Sequence, residues 1–141
     1  MSSRDRIIWD KLRVRMPHDV SLVVYNARLG PDAWVYPIGD SVEQFWRRSN
    51  VKRLDAVLIH GEGAGYTIVE CRPRAGSSAL GSAICYRWLW EKFSGGLPLR
   101  GVVVATDKAD EYYTELFLAH AVEVWEIGQE VPDPEKGTVL R

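Results

Sequence analysis

The chain has 141 residues, of which 46% are hydrophobic and 26% charged, and 18 Lys+Arg against 19 Asp+Glu leave a net charge of −1. This balance excludes a disordered or fibrous chain and a strongly basic nucleic-acid binder, and the length suits one domain. Two cysteines are too few for a disulfide framework, so we expect Cys71 and Cys85 to be free, buried thiols.

The first thirty residues predict a helix and then a strand. Ser2 or Ser3 can cap a helix over residues 3–16, and Pro17 ends it. The apolar residues at helical spacing are Ile7, Ile8, Leu12 and Val14. β-Branched residues then predict a strand over 20–29, closed by the turn residues 30–32. This start does not resemble a signal peptide, and no apolar run could cross a bilayer, so we expect a cytoplasmic protein, or a virion protein packaged from the cytoplasm, without a membrane partner.

The middle of the chain predicts a hairpin between two helices. A short strand over 34–36 and a short helix capped by Asp40 or Ser41 lead to strands over 54–59 and 66–71, which the glycine-rich segment 61–65 connects. The hairpin is apolar on both faces, which is typical of central strands. Ser77 or Ser78 can cap the next helix, which Gly95 and Gly96 close; its apolar residues are Ala79, Ala83, Tyr86, Trp90 and Phe93.

The last third alternates strand and helix. We expect a strand over 101–106, a helix over 109–120, a strand over 122–127 and an irregular tail over 128–141. A helix between two strands usually makes them parallel. The fold class is therefore α/β: a single domain over 1–141 with a central mixed β-sheet flanked by helices.

Three charged residues converge at one end of the hairpin. If residues 61–64 form a four-residue turn and His60 pairs with Gly65, antiparallel pairing places Asp55 opposite Glu70. Because side chains alternate, Arg72 lies on the same face and Cys71 on the other. Opposed carboxylates destabilise a sheet unless a positive charge lies between them. That charge is either Arg72, as a structural salt-bridge partner, or a hard divalent cation such as Mg²⁺.

These residues carry a resemblance to a known family. The stretches are Arg53-Leu54-Asp55, Ile68-Val69-Glu70-Cys71-Arg72, Ala79-Leu80-Gly81-Ser82 with Tyr86, and Ala121-Val122-Glu123-Val124-Trp125. They resemble small phage and prophage members of the PD-(D/E)XK nuclease superfamily, over a motif core of about 53–127. The resemblance implies a restriction-endonuclease-like core and a catalytic centre at Asp55, Glu70 and Arg72.

The resemblance also implies a cofactor. Asp55, Glu70 and the main-chain carbonyl of Cys71 would bind Mg²⁺, or Mn²⁺, which lowers the pKa of a bound water and stabilises charge on the scissile phosphate. Two positions depart from the family pattern, since Arg72 replaces the usual lysine and Ser82 the usual glutamine. Arginine stays protonated and cannot act as a base, so these changes favour reduced or lost catalysis. The first helix offers Asp5 and Asp10 but no glutamate, which leaves the family's frequent additional acid unassigned.

Basic residues flank the motif. The first 74 residues hold 12 Lys+Arg against 9 Asp+Glu, and the remainder 6 against 10. The predicted nucleic-acid contacts are Arg47, Arg48, Arg53, Arg74, Ser82, Tyr86 and Arg87, with Lys52 close by. Solvent-facing charge is the alternative for each of these basic residues. The histidines and the six tryptophans are expected to serve packing or surface roles rather than join the site.

Three functions remain open at this stage. The first is a nuclease-fold protein with reduced or lost catalysis that binds DNA or another nucleic acid, or that contacts structural or assembly proteins of a phage particle, with homo-oligomers an open alternative. The second is an active Mg²⁺-dependent hydrolase of DNA phosphodiester bonds. The third is an unrelated α/β protein in which the cluster of Asp55, Glu70 and Arg72 is accidental.

Overall fold

The computed structural model describes residues 2–30 and 52–128, which form one α/β domain. Its elements in chain order are α1 (Ser3–Leu12), β1 (Val20–Leu29), β2 (Lys52–His60), β3 (Tyr66–Ala75), α2 (Ser77–Phe93), β4 (Leu99–Ala109), α3 (Glu111–Ala119) and β5 (Val122–Glu126). Single 3₁₀ turns follow α1 at Arg13–Arg15 and β2 at Gly61–Gly63. The short strand predicted at 34–36, the short helix after it and the tail from 129 lie outside the described residues.

The five strands form one mixed sheet in the order β1-β2-β3-β4-β5. The pairs β1–β2 and β2–β3 are antiparallel, whereas β3–β4 and β4–β5 are parallel. The parallel pairs are the ones joined through α2 and α3, as expected when a helix carries the chain back to the start of the next strand. The predicted fold class, a central mixed sheet flanked by helices, is confirmed.

Apolar side chains cover both faces of the sheet. On one face α2 and α3 pack over Val57, Ile68 and Val104, and Phe117 of α3 is fully buried there. On the other face α1 packs over Ala56, Val69 and Val103. Neighbouring residues of β2, β3 and β4 therefore alternate between two separate cores, which explains why these strands are apolar almost throughout.

The first helix begins as predicted but presents a different face. Ser2 caps it through a reciprocal pair of hydrogen bonds with Asp5, which satisfies main-chain donors that the first turn leaves open. Ile8 and Leu12 are buried as expected, but Ile7 and Val14 are exposed. The third buried residue of α1 is Trp9, which the sequence analysis did not select.

Two predictions about α2 are wrong. The residue before the helix, Gly76, occupies the cap position and provides no side-chain hydrogen bond, so neither Ser77 nor Ser78 is the cap. Cys85 is exposed, because it lies on the solvent side of α2 between buried Ala83 and buried Tyr86. Cys71 is the buried free thiol.

The turn between β2 and β3 has the predicted register. The His60 main-chain N–H donates to the Gly65 carbonyl at 3.0 Å, and Glu62 and Gly63 take positive φ inside the turn. Gly65 also has a positive φ of 105°, and a Cβ there would lie 2.9 Å from the Pro98 carbonyl oxygen. The turn therefore needs glycine at residue 65, where the backbone approaches the loop before β4.

No helix in the described part of the chain is long and apolar enough to cross a membrane.

Candidate metal centre

The site forms where β2 and β3 stop pairing. Their ladder runs from Ile59↔Tyr66 to Ala56↔Val69, and the next residues along the two strands are Asp55 and Glu70. Instead of a further ladder bond, the Cys71 main-chain N–H donates to Asp55 Oδ2 at 2.8 Å. The carboxylate of Asp55 thus holds the two strands at the point where they separate.

The alternation of side chains in β1 and β2 breaks at this level. Ala27 and Leu54 pack in the core beneath α2, whereas their neighbours Tyr25 and Ala56 lie on the α1 side, although each pair is only two residues apart. Between them Asn26 takes φ 49°, a left-handed conformation that asparagine tolerates better than most residues. Asp55 lies at this break, and its side chain accepts the hydrogen bond from the main chain of β3.

Glu70 and Arg72 share the α2 face of β3. Arg72 Nε donates to Glu70 Oε1 at 2.8 Å, and Arg72 Nη2 donates to Ser82 Oγ at 3.2 Å. The Tyr86 hydroxyl, one helical turn after Ser82, donates to the Glu70 carboxylate. The family resemblance selected these four residues together, and the fold brings all four into one hydrogen-bonded group beside Asp55.

Burial raises the pKa of both acidic side chains in this group. Asp55 is 8% exposed and Glu70 5%. Burial and the charge of Asp55 raise the pKa of Glu70 from 4.5 to about 7, although Arg72 opposes the rise. Burial also raises the pKa of Asp55, against the hydrogen bond from Cys71, and the charge of Asp5 on α1 adds to that rise. Two carboxylates therefore share a partly desolvated site with one arginine.

The thiol of Cys71 does not take part in this chemistry. Its side chain lies in the core on the α1 face, opposite Glu70 and Arg72, as the sequence predicted. Burial raises the pKa of the thiol far above its ordinary value, so it stays protonated. The main chain of Cys71 is what meets the site, through its hydrogen bond to Asp55.

Asp55 and Glu70 are the side chains that could hold a cation here. No group of three or more His, Cys, Asp and Glu side chains within 2–30 and 52–128 is placed to hold a metal ion. A Mg²⁺ ion can bind through one or two carboxylates and complete its shell with water and substrate oxygens. The donor set thus fits a cation shared with a phosphate better than a closed structural metal site.

The predicted basic contacts do not all lie at the site. Arg53, near the start of β2, and Arg74, near the end of β3, are exposed at the same end of the antiparallel hairpin as Asp55 and Glu70. Arg87 donates to the main-chain carbonyls of His120 and Ala121, and so provides hydrogen bonds to carbonyl groups at the C-terminal end of α3. Its guanidinium is directed to that helix end rather than to the carboxylates. Arg47 and Arg48 lie outside the described residues.

A second polar cluster lies at the opposite end of the hairpin. His60 is buried, its Nε2 is 2.7 Å from Thr67 Oγ1, and its Nδ1 is 3.0 Å from Asp19 Oδ2 without the alignment of a hydrogen bond. Arg100 pairs with Asp19, and this ion pair, opposed in part by burial, lowers the pKa of Asp19. His60 joins β1, β2 and β3 there, in keeping with its predicted packing role, but through polar contacts that the sequence analysis did not foresee.

No family model, no curated protein and no solved structure matches this chain.

Proposed function

We propose that this protein is a nuclease-type domain that binds a divalent cation at Asp55 and Glu70 and associates with nucleic acid, with reduced or lost catalysis. The proposed setting, a phage particle or its assembly, comes from the resemblance in the hairpin and α2 motifs. The observation that carries the proposal is the adjacent pair of buried carboxylates where β2 and β3 separate.

The carboxylate pair favours a cation for an energetic reason. Burial raises the pKa of both acids, and the negative charge of Asp55 adds to the rise at Glu70. Arg72 is a single positive charge: it donates a hydrogen bond to Glu70, and its charge lowers the pKa of Asp55 as well. A Mg²⁺ ion would neutralise both, and it would lower the pKa of a bound water beside a phosphodiester.

The position of Arg72 supports the proposal of reduced catalysis. Its guanidinium already donates to Glu70 and to Ser82, so an incoming metal must compete with a resident cation for the same carboxylate. Arginine cannot accept a proton from an attacking water. In this geometry Arg72 can steady charge on a phosphate but cannot activate the nucleophile.

An active Mg²⁺-dependent nuclease is the second candidate, and one observation favours it. The Arg72 side chain is 33% exposed, whereas that of Glu70 is 7% exposed. The guanidinium can therefore move from Glu70 to a bound phosphate without being buried unpaired. The metal ion would then take the place of the guanidinium beside Glu70.

A cleavage and binding assay separates the two. Purified protein is incubated with single-stranded DNA, duplex DNA and RNA in Mg²⁺ or Mn²⁺, alongside Arg72→Lys, Arg72→Ala and Glu70→Gln. We expect the parent to bind nucleic acid and cut weakly or not at all, and Arg72→Lys to cut more, because lysine is a smaller, more mobile cation at the same point. Metal-dependent cutting by the parent that Glu70→Gln abolishes would establish the active nuclease instead. Absence of both binding and cutting in low salt would refute the proposal.

A further inference from the structure

A cavity lies between α1 and β1, at the level of Asp55. Its volume is about 380 Å³, within the range of small-ligand sites of about 300–1,000 Å³. Its lining residues are Arg6, Trp9, Asp10, Arg13, Tyr25 and Asn26. We call this cavity the α1–β1 groove.

The register of the sheet places the groove next to Asp55. The pairs Tyr25↔Ala56 and Ala27↔Leu54 bracket Asn26 and Asp55, so these two residues lie side by side on neighbouring strands. The groove opens on the α1 face of the sheet, whereas Glu70 and Arg72 lie on the α2 face. A nucleic-acid strand that meets both therefore has to pass the point where β2 and β3 separate.

The lining combines an aromatic surface with positive charge. Tyr25 is 50% exposed, and its ring meets buried Trp9 edge-to-face at 5.2 Å between ring centroids. That contact holds the Tyr25 ring in one orientation while half of its surface stays open. Arg6 and Arg13 are both exposed, and Asp10, which lies 3.6 Å from Arg13, offsets only one of the two charges.

This chemistry suits a nucleotide. An exposed aromatic ring offers a stacking surface to any base, and arginine forks match phosphate oxygens. A base inside a duplex has both faces covered by its neighbours, so only an unpaired nucleotide can stack on Tyr25.

We infer that the α1–β1 groove holds one unpaired nucleotide of a strand whose phosphate backbone passes Asp55 and Glu70. The inference rests on the proposed function and names its substrate class: single-stranded nucleic acid, or an unpaired end. The groove would position the strand, and the carboxylate pair would meet the adjacent phosphate.

Fluorescence anisotropy tests the inference without any metal. A fluorescein-labelled oligothymidylate of about twelve nucleotides and the duplex of the same length are titrated with protein in EDTA and low salt. Stacking on Tyr25 predicts that Tyr25→Ala weakens single-strand binding about tenfold, that Tyr25→Phe does not, and that duplex binding changes less than about twofold. Far-UV circular dichroism and urea midpoints confirm that each variant is folded.

A matched pair of arginines on α1 provides the second readout. Arg6 lines the groove, whereas Arg4, also exposed, does not. Arg6→Ala should weaken oligothymidylate binding and lower its salt dependence by about 0.7 in log–log slope, the value for one phosphate contact on a single strand, while Arg4→Ala leaves both unchanged. This pair remains decisive if Tyr25→Ala does not fold.

The outcomes distinguish two failures. If the parent binds oligothymidylate but the Tyr25 and Arg6 variants bind it equally well, or lose duplex binding to the same extent, the groove is not a nucleotide site and only this inference falls. If the parent binds neither oligonucleotide, the proposed function falls with it.

Discussion

Replacing Glu70 with glutamine should make the metal-free protein more stable at alkaline pH. The change keeps the shape of the side chain but removes one of two adjacent buried charges. In the parent, burial and the charge of Asp55 raise the pKa of Glu70 from 4.5 to about 7. Each tenfold change in acidity corresponds to about 1.4 kcal/mol, so ionising Glu70 in the folded state costs on the order of 3 kcal/mol.

The sign of the pH dependence follows from the direction of that rise. The folded protein holds the Glu70 proton more tightly than the unfolded chain does. The stabilisation from that proton is complete below the unfolded value of 4.5 and is lost as pH increases through about 7. The Asp55 pKa is also raised, so its contribution has the same sign.

Urea unfolding, followed by circular dichroism in EDTA from about pH 5 to about pH 8, measures this difference. We expect the free energy of unfolding of Glu70→Gln, relative to the parent, to increase across this range by up to about 3 kcal/mol. A control variant, Glu111→Gln, changes a carboxylate in the first turn of α3, away from the site, and should give a flat difference. A flat difference for Glu70→Gln would refute the claim that the site holds a strained carboxylate pair.

Three further variants test other parts of the structure. Arg72→Ala should lower the free energy of unfolding by about 1–3 kcal/mol at about pH 8 and by less at about pH 5, because it leaves a buried carboxylate without its cation; a loss independent of pH would contradict this. Thr67→Val should cost about 1–3 kcal/mol, measured by urea unfolding, because it leaves His60 Nε2 buried without a partner; an unchanged midpoint would show that this contact is dispensable. Phe117→Ala should lower the free energy of unfolding by about 3–5 kcal/mol because the ring is fully buried. Tyr112→Ala, on the exposed side of the same helix, should change it by no more than about 0.5 kcal/mol. Equal losses for the two variants would contradict the placement of α3.

The hairpin could be predicted from sequence because its pairing is local. Once residues 61–64 form the turn, antiparallel geometry fixes which residues lie opposite each other, and the observed pair Ala56↔Val69 has that register. The same reasoning placed Cys71 on the face opposite Glu70, where the structure has it.

The break in strand alternation could not be predicted in the same way. It depends on β1, which pairs with β2 across a long stretch of sequence, and on the left-handed conformation of Asn26. Asparagine tolerates that conformation but does not require it, so Asn26 alone gives no prediction. The groove beside Asp55 was missed for the same reason.

The end of β3 was predicted too early, at Cys71, two residues before Pro73. In the structure β3 continues to Ala75 and stays paired with β4. The ladder between β3 and β2 ends at Val69. Pro73 has no main-chain N–H, but it lies beyond that ladder and therefore removes no hydrogen bond to β2. The tolerance of Pro73 depends on the same strand separation that creates the site.

Isothermal titration calorimetry with Mg²⁺ and Mn²⁺ tests the central claim, that Asp55 and Glu70 bind a divalent cation. The parent is compared with Asp55→Asn, which still offers an oxygen to the Cys71 N–H, and with Asp10→Asn, which changes an exposed carboxylate on α1. The claim predicts a one-site isotherm at about pH 8, above the raised pKa of Glu70, that Asp10→Asn retains and Asp55→Asn loses. An isotherm that survives Asp55→Asn, or the absence of binding by the parent, would contradict it.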